Sequence, residues 1–307
     1  MTRLGVAVDV GNFAIKARFF RSQADHAIPL GDPVQVNLQP IDWRECFARW
    51  YVEQLNTVAA PDTASIRWRV ASVNPPPTRL LKMWVEANLN NPAGSEKTNA
   101  KHRPAGTPHH WQEVSFRDVP LKLDIRHPEI IGIDRLIVAW AAWHGRCETT
   151  GPSGESNWGF VEKQPQRRRP IIVVDAGSAL TVDLVDAEGT FRGGAILPGR
   201  QMQLRSLGLG AFALPDLTKR PDTQPPDPAI LSSGPECPGR DTQAAIQLGV
   251  FAGMVGAIRH LRGAYEQTAG ETPELILTGG DASLLAPLFG EEAYWVPSLM
   301  LDGLAWL

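Results

Sequence analysis

From Leu4 to Val10 the chain is almost wholly apolar, the pattern of a short buried strand, and Gly11-Asn12 follows as a turn signal. Ile15 to Phe20 continue as a second strand, so the segment 4–20 reads as a hairpin. Between Ile41 and Leu55 the period changes. Phe47, Trp50, Tyr51 and Leu55 recur at helical spacing, with Asp42 and Glu45 placed as a capping box. Ile66 to Val73 alternates as a strand, Pro75-Pro76-Pro77 stops it, and Thr78 to Leu89 reads as a helix. Residues 90–110 are polar and rich in Pro and Gly, the composition of a surface loop. Gly132 to His144 is a further helix.

A second polar stretch, Glu148 to Pro170, carries Arg167-Arg168-Arg169 and reads as a linker or long insertion. Beyond it three strands follow: Ile171–Asp175, Leu180–Asp186 and Phe191–Ile196. A long helix is expected over Thr242–Gln267 and a strand over Glu274–Leu277. Thr278-Gly279-Gly280 then leads into a helix capped by Asp281. Segments 4–20 and 171–186 share one layout: apolar run, aspartate, small-residue turn, second strand. That is a hint of internal duplication. The mixture of strands and helices predicts an α/β fold in two domains, 1–150 and 151–307.

Composition narrows the class. With 43% hydrophobic and 21% charged residues in 307, the chain has ample core material for a globular protein. A net charge of −3 lacks the basic excess of a nucleic-acid binder. No run approaches the ~18 apolar residues of a membrane span. The N-terminus enters a strand with no apolar signal core. Cys46, Cys147 and Cys237 are far apart and odd in number, which fits neither a zinc site nor a disulfide framework but a reducing cytoplasm. The seven histidines show no metal-ligand spacing and are expected at the surface; the ten tryptophans are expected in packing roles. Ala244, Ala245, Gly249, Ala252, Gly253, Gly256 and Ala257 give the 242–267 helix faces for close helix contact, within the core or across a dimer.

Several short motifs could carry chemistry. In Asp9-Val10-Gly11-Asn12, an aspartate ends a buried strand, a costly position unless it meets a cation or hydrogen-bond donors. Gly11 lets the backbone approach a ligand, and turn N–H groups hold phosphate oxygens. Lys16 adds a positive charge four residues on. Asp175-Ala176-Gly177-Ser178-Ala179-Leu180-Thr181-Val182-Asp183 repeats this logic, with the Ser178 hydroxyl for phosphate and Asp175 near a metal. Each is also, taken alone, a plain turn; two in one chain suit a nucleoside triphosphate. In Gly132-Ile133-Asp134-Arg135, Asp134 near a helix N-terminus could accept a proton, and Arg135 could hold a carboxylate. A cap beside a surface arginine is the simpler alternative. Gly193–Gly199 and Thr278–Gly280 suit close backbone approach to a nucleotide, or plain strand-to-helix connections.

Taken together and in this order, with Asp241-Thr242 before the long helix, these motifs resemble the type III pantothenate kinase family of the actin-like ATPase and sugar kinase superfamily. The resemblance spans nearly the whole chain, apart from segments 90–110 and 148–170. It implies two actin-like (ribonuclease H-like) lobes, each a mixed sheet with helices, and a nucleotide cleft between them. It implies ATP-dependent phosphorylation of pantothenate, the first step of coenzyme A synthesis, by a cytoplasmic homodimer. Mg²⁺ and a monovalent cation, K⁺ or NH₄⁺, would assist; neither nucleic acid nor membrane would take part. By position, Asp9, Val10, Gly11, Asn12, Phe13, Ala14, Ile15 and Lys16 would bind ATP phosphates with Ser178, and Asp9 would lie near Mg²⁺. Asp134 would be the catalytic base. Gly132, Ile133, Asp134, Arg135 and, from across the dimer, Thr242 would contact pantothenate, and Asp175 would hold the monovalent cation.

The chain departs from the family pattern at three positions that bear on its chemistry, while Ser178 keeps the hydroxyl of the family's threonine. Phe13 replaces a threonine, Ile125 replaces a tyrosine three residues before Pro128, and Asp241 replaces an asparagine. These keep two other readings open: an inactive relative with a binding or regulatory role, and a kinase for another small hydroxy acid. Retention of Asp9, Asp134, Arg135 and Asp175 favours retained phosphoryl chemistry, because buried charges without a ligand are expensive to keep.

Overall fold

The computed structural model describes residues 3–23, 26–39, 43–58, 63, 65–90, 107–145, 149, 150, 156, 157, 169–211, 213–219 and 235–307. They form two units. One comprises residues 1–120, 129–137 and 300–307, the other 121–128 and 138–299.

The first unit contains β1 (Arg3–Val10), β2 (Ala14–Gln23), β3 (His26–Asn37), α1 (Trp43–Val58), β4 (Ile66–Ser72), α2 (Pro75–Val85) and β5 (His109–Glu113). Its sheet runs β3-β2-β1-β4-β5. The pairs β1–β2 and β2–β3 are antiparallel, whereas β4 joins β1 and β5 joins β4 in parallel. β1 is central and apolar because it is buried on both faces. The expected hairpin forms, with Val10 opposite Ile15. One face of α1 buries Trp43, Phe47, Tyr51 and Leu55, each four residues after the last, into a core with Val6, Val8, Phe19, Trp68 and Val70. Each such side chain stabilises the fold by about 1.5–3 kcal/mol. Asp42 of the expected capping box lies outside the described residues.

Three local expectations are corrected here. The triple proline does not precede the helix but forms its first turn, where the missing N–H has no helical partner to lose. A single π-helical turn, Glu86–Asn90, then ends it. Residues 90–110 do not end as loop. Residues 91–106 lie outside the described residues, and β5 begins at His109. His109 is buried rather than at the surface, and its Nδ1 accepts a hydrogen bond from Trp68 Nε1 at 2.9 Å. β3, with two prolines and a glycine in its middle, follows no clear alternation and takes the sheet edge, where a missing N–H is tolerated.

The second unit begins with β6 (Lys122–Leu123). Helix α3 (Ile133–Trp143) follows, its residues through Ile137 belonging to the first unit. A small pair, β7 (Thr149–Thr150) and β8 (Ser156–Asn157), precedes β9 (Ile171–Ala176), β10 (Ala179–Val185) and β11 (Thr190–Pro198). Then come α4 (Arg200–Gly210), α5 (Thr242–Ala269), β12 (Glu274–Thr278), α6 (Ala282–Phe289) and β13 (Ala293–Trp295). The last helix, α7 (Leu299–Trp306), lies almost wholly in the first unit. There the buried Arg69 caps it, donating from Nη1 to Leu304 O at 3.3 Å and to Ala305 O. Burial, reinforced by Arg67, lowers the pKa of Arg69 to about 10.

The second sheet runs β13-β12-β9-β10-β11-β6. β9, β10 and β11 pair antiparallel, while β12 and β13 extend the other side in parallel. Counted from the central strand, this is the order and sense of β1 to β5. The hint of duplication in the sequence is therefore a shared topology. α5 is long and apolar enough, by composition, to cross a membrane, yet its Ile246, Val250, Phe251, Met254 and Ile258 lie in the second core with Val174, Val182 and Leu277.

Candidate active site

The expected site residues fall into four groups. Asp9 is the penultimate residue of β1, opposite Lys16 of β2 and Ala71 of β4. The turn closes through Gly11 N donating to Ala14 O at 3.0 Å. The side chains of Val10 and Ile15 are fully buried, so what they offer a ligand is backbone. The Phe13 ring is 53% exposed, while its carbonyl accepts from Leu38 N at 2.8 Å. No hydrogen bond from the Asn12 or Phe13 N–H to another described residue is present, which leaves these donors at the tip for an anion. Asn74, absent from the sequence reading, holds this turn: its Nδ2 donates to Gly11 O at 3.3 Å, and Val73 N donates to Val10 O at 3.2 Å. Asn74 stands at the N-cap of α2 without capping it.

The second turn brings three sequence motifs together. Asp175 ends the apolar part of β9, and Gly177 N closes the turn onto Ala179 O at 3.0 Å. Gly199 packs against it so closely that a Cβ would stand 2.2 Å from Gly177 O and 2.5 Å from Ser178 O. Gly279, at φ +94°, meets the other flank, where a Cβ would lie 2.4 Å from Asp175 Oδ1. Gly199 and Gly279 thus serve close backbone approach to this turn. Gly193 and Gly194 sit within β11, inside the strand expected over Phe191–Ile196. Asp281 does not cap α6; its Oδ1 accepts from Arg200 Nε at 2.8 Å. Arg200 carried no signal in the sequence reading.

Gly132 to Arg135 open α3 in the first unit. Asp134 Oδ1 accepts from Arg135 N at 2.9 Å. A Cβ at Gly132 would lie 2.5 Å from that same oxygen, which explains the glycine two positions before the aspartate. Burial raises the Asp134 pKa above 3.8, with the Arg135 N–H and charge opposing part of that rise. A half-buried carboxylate held beside a guanidinium is suited to accept a proton from a hydroxyl. Ile125 lies in the second unit, its Cγ2 3.6 Å from where a Cβ on Gly193 would be.

Thr242 is the first residue of α5, and Asp241 caps that helix by accepting from Ala244 N at 2.8 Å, as expected. Thr242 borders a groove of about 630 Å³ between α4 and α5, with Gln203, Ser206, Leu214 and Ile246 among its walls. Among the described residues no group of three or more His, Cys, Asp or Glu could hold a metal alone. Single carboxylates such as Asp9 and Asp175 fit an ion that completes its shell with phosphate and water, as Mg²⁺ does.

With this geometry in place, three comparisons bear on the chain. The profile of the family described as type III pantothenate kinase matches residues 158–263. A type III pantothenate kinase of Rhodopirellula baltica is 33% identical over 314 residues, covering 98% of both chains. One of Alkalilimnicola ehrlichii is 40% identical over 136 residues, 44% of this chain and 49% of that one. Among solved structures, the ethanolamine utilization protein EutJ from Carboxydothermus hydrogenoformans aligns with 98% of this chain and 89% of its own, at 12% identity and a TM-score of 0.46.

Proposed function

Since the chain belongs to the type III pantothenate kinase family, we propose that it phosphorylates pantothenate with ATP in the cytoplasm, the first step towards coenzyme A. The observation that carries this reading is the matched pair of aspartate-bearing turns, β1–β2 and β9–β10, on two sheets of the same topology, in a chain that also carries a proton acceptor at the start of α3.

The Asp9–Lys16 turn binds the ATP phosphates through its free N–H groups and Lys16, and Ser178 of the second turn adds a hydroxyl. Asp9 holds Mg²⁺, which would offset charge on the phosphates; Asp175 holds K⁺ or NH₄⁺. Arg135 receives the pantothenate carboxylate, and Thr242 contacts pantothenate from a second copy of the chain. Asp134 accepts the proton of the primary hydroxyl as its oxygen bonds to the γ-phosphorus and the bond to the ADP oxygen breaks. Positioning and electrostatics supply most of the rate. The dimer is supported by the outer face of α5, where Gly249, Gly256 and Gly263 have nothing within 4 Å of a Cβ position.

ADP release measured with ATP, Mg²⁺, K⁺ and pantothenate tests the reading. Asp134→Asn should lose at least ~10²-fold in kcat while remaining folded. A folded Asp134→Asn protein that keeps its activity would remove Asp134 from the chemistry. The pH profile adds a sign. Only the ionised carboxylate accepts a proton, and burial raises its pKa, so the acid limb of kcat/KM should lie above the 3.8 of an exposed aspartate. Between 3.8 and the raised value the folded state holds the extra proton, so this group's contribution to stability falls as pH rises through that window.

A further inference from the structure

On the reading of Asp175–Ser178 as a nucleotide-binding turn, we propose that Arg200 and Asp281 form a clasp that holds this turn in its binding shape, both acting as positioning residues. The turn is gripped on two flanks. On one, Gly199 N donates to Ser178 O at 3.2 Å. On the other, Asp281 N donates to Ala176 O at 2.9 Å, with Gly279 packed against Asp175 and Ala176. Arg200 directly follows the first grip, and Asp281 forms the second. Their side chains meet at 2.8 Å, with only 20% and 15% of their surfaces exposed. The ion pair thus closes a ring around the turn: turn to Gly199, Gly199 to Arg200, Arg200 to Asp281, and Asp281 back to the turn.

Local preference explains neither charge. Arg200 is the first residue of α4, where the positive end of the helix dipole disfavours a cation. Asp281 occupies the N-cap of α6, a place where an aspartate ordinarily accepts from the helix, yet it makes no such bond. Each side chain forgoes its local role, and the partner accounts for both. The pair is 81 residues apart in sequence, so it joins two connections that the chain alone would leave independent.

Breaking the clasp frees the α4 and α6 connections to drift from the turn. Because ~1 Å of misplacement can cost ~10²-fold, a rise of about 10-fold or more in the KM for ATP is expected. The KM for pantothenate should change less than that for ATP, since of the residues assigned to pantothenate only Thr242 lies in this unit and Gly132–Arg135 belong to the other. The test is steady-state kinetics of the full chain with Arg200→Ala, Asp281→Ala, both together, Arg200→Lys, and the reciprocal swap Arg200→Asp with Asp281→Arg. Thermal melting checks the fold. The clasp predicts a raised ATP KM in each alanine variant, a double variant no worse than either single one, partial retention in Arg200→Lys and recovery in the swap.

An unchanged ATP KM in folded alanine variants, or additive losses in the double variant, would overturn it. Where an alanine variant melts below the assay temperature, Arg200→Lys and the swap decide in the same way. Ser178→Asp separates the premise from the clasp, because it sets a carboxylate against the phosphates. If Ser178→Asp leaves the ATP KM unchanged, the reading of the turn fails and the clasp with it. If it raises the ATP KM while the Arg200 and Asp281 variants do not, the clasp alone fails.

Discussion

The β1–β2 turn is held by backbone hydrogen bonds and one neutral side chain, Asn74, whereas the β9–β10 turn is wedged between two glycines and ringed by an ion pair. The strands around the two turns have the same order and sense, so topology does not cause the difference. What differs is how closely other connections approach. A Cβ at Gly11 would meet only Ala14 O of its own turn, at 3.3 Å, a tight but tolerable contact; a Cβ at Gly199, in the β11–α4 connection, would stand 2.2 Å from Gly177 O of the β9–β10 turn. The loosely held turn is the one that carries a family departure, with Phe13 exposed at its tip. The tightly held turn keeps the family pattern, with serine for threonine at Ser178 as its one small change. A turn with slack tolerates an altered tip. A turn packed backbone against backbone does not.

The sharpest way to break this contrast is to add one methyl group within the β1–β2 turn and one in the connection packed against the β9–β10 turn. Gly199→Ala should destabilise the protein by about 3 kcal/mol, since neither clashing atom is a movable side chain. Gly11→Ala should stay within about 1 kcal/mol. Calorimetric melting of both variants decides it, and equal losses would erase the distinction. A smaller effect is expected for Asn74→Ala. It removes one hydrogen bond, about 1 kcal/mol, and should raise the ATP KM only a few-fold by loosening the Gly11 carbonyl. The smallest is Phe13→Thr. The exposed ring contributes little to the core, so stability should hold within about 0.5 kcal/mol. The restored hydroxyl should lower the ATP KM slightly in the kinase assay. A higher KM would mean that the ring itself meets the nucleotide.

How far the sequence could be read follows from the range of the forces involved. The hairpins at 4–20 and 171–186 and the long helix from Thr242 were legible because their patterns are local: apolar runs broken by glycine, and a helix behind an Asp cap. β3 and β5 were not. An edge strand with Pro and Gly, and one beginning at a buried histidine, become strands only because β2 and β4 offer them partners. His109 misled for the same reason. Its acceptor role depends on Trp68, 41 residues earlier, which makes burial of a polar ring affordable.

The candidate site divides along the same line. The order of short motifs in the chain pointed to the family and singled out the two aspartate-bearing turns and the Gly132–Arg135 segment, because each is a run of adjacent residues. Why glycine stands at 132, 199 and 279 was decided only in three dimensions, by the atoms that a Cβ would strike. Asn74, Arg200 and the true partner of Asp281 were likewise invisible in the chain. Their contacts cross 63 and 81 residues, and a side chain's hydrogen-bond partner at that separation is chosen by the packing of sheets and helices. The sequence alone determined which segments could meet phosphate. The tertiary structure decided what holds them still, since close approach and ion pairing depend on distances that no local pattern encodes.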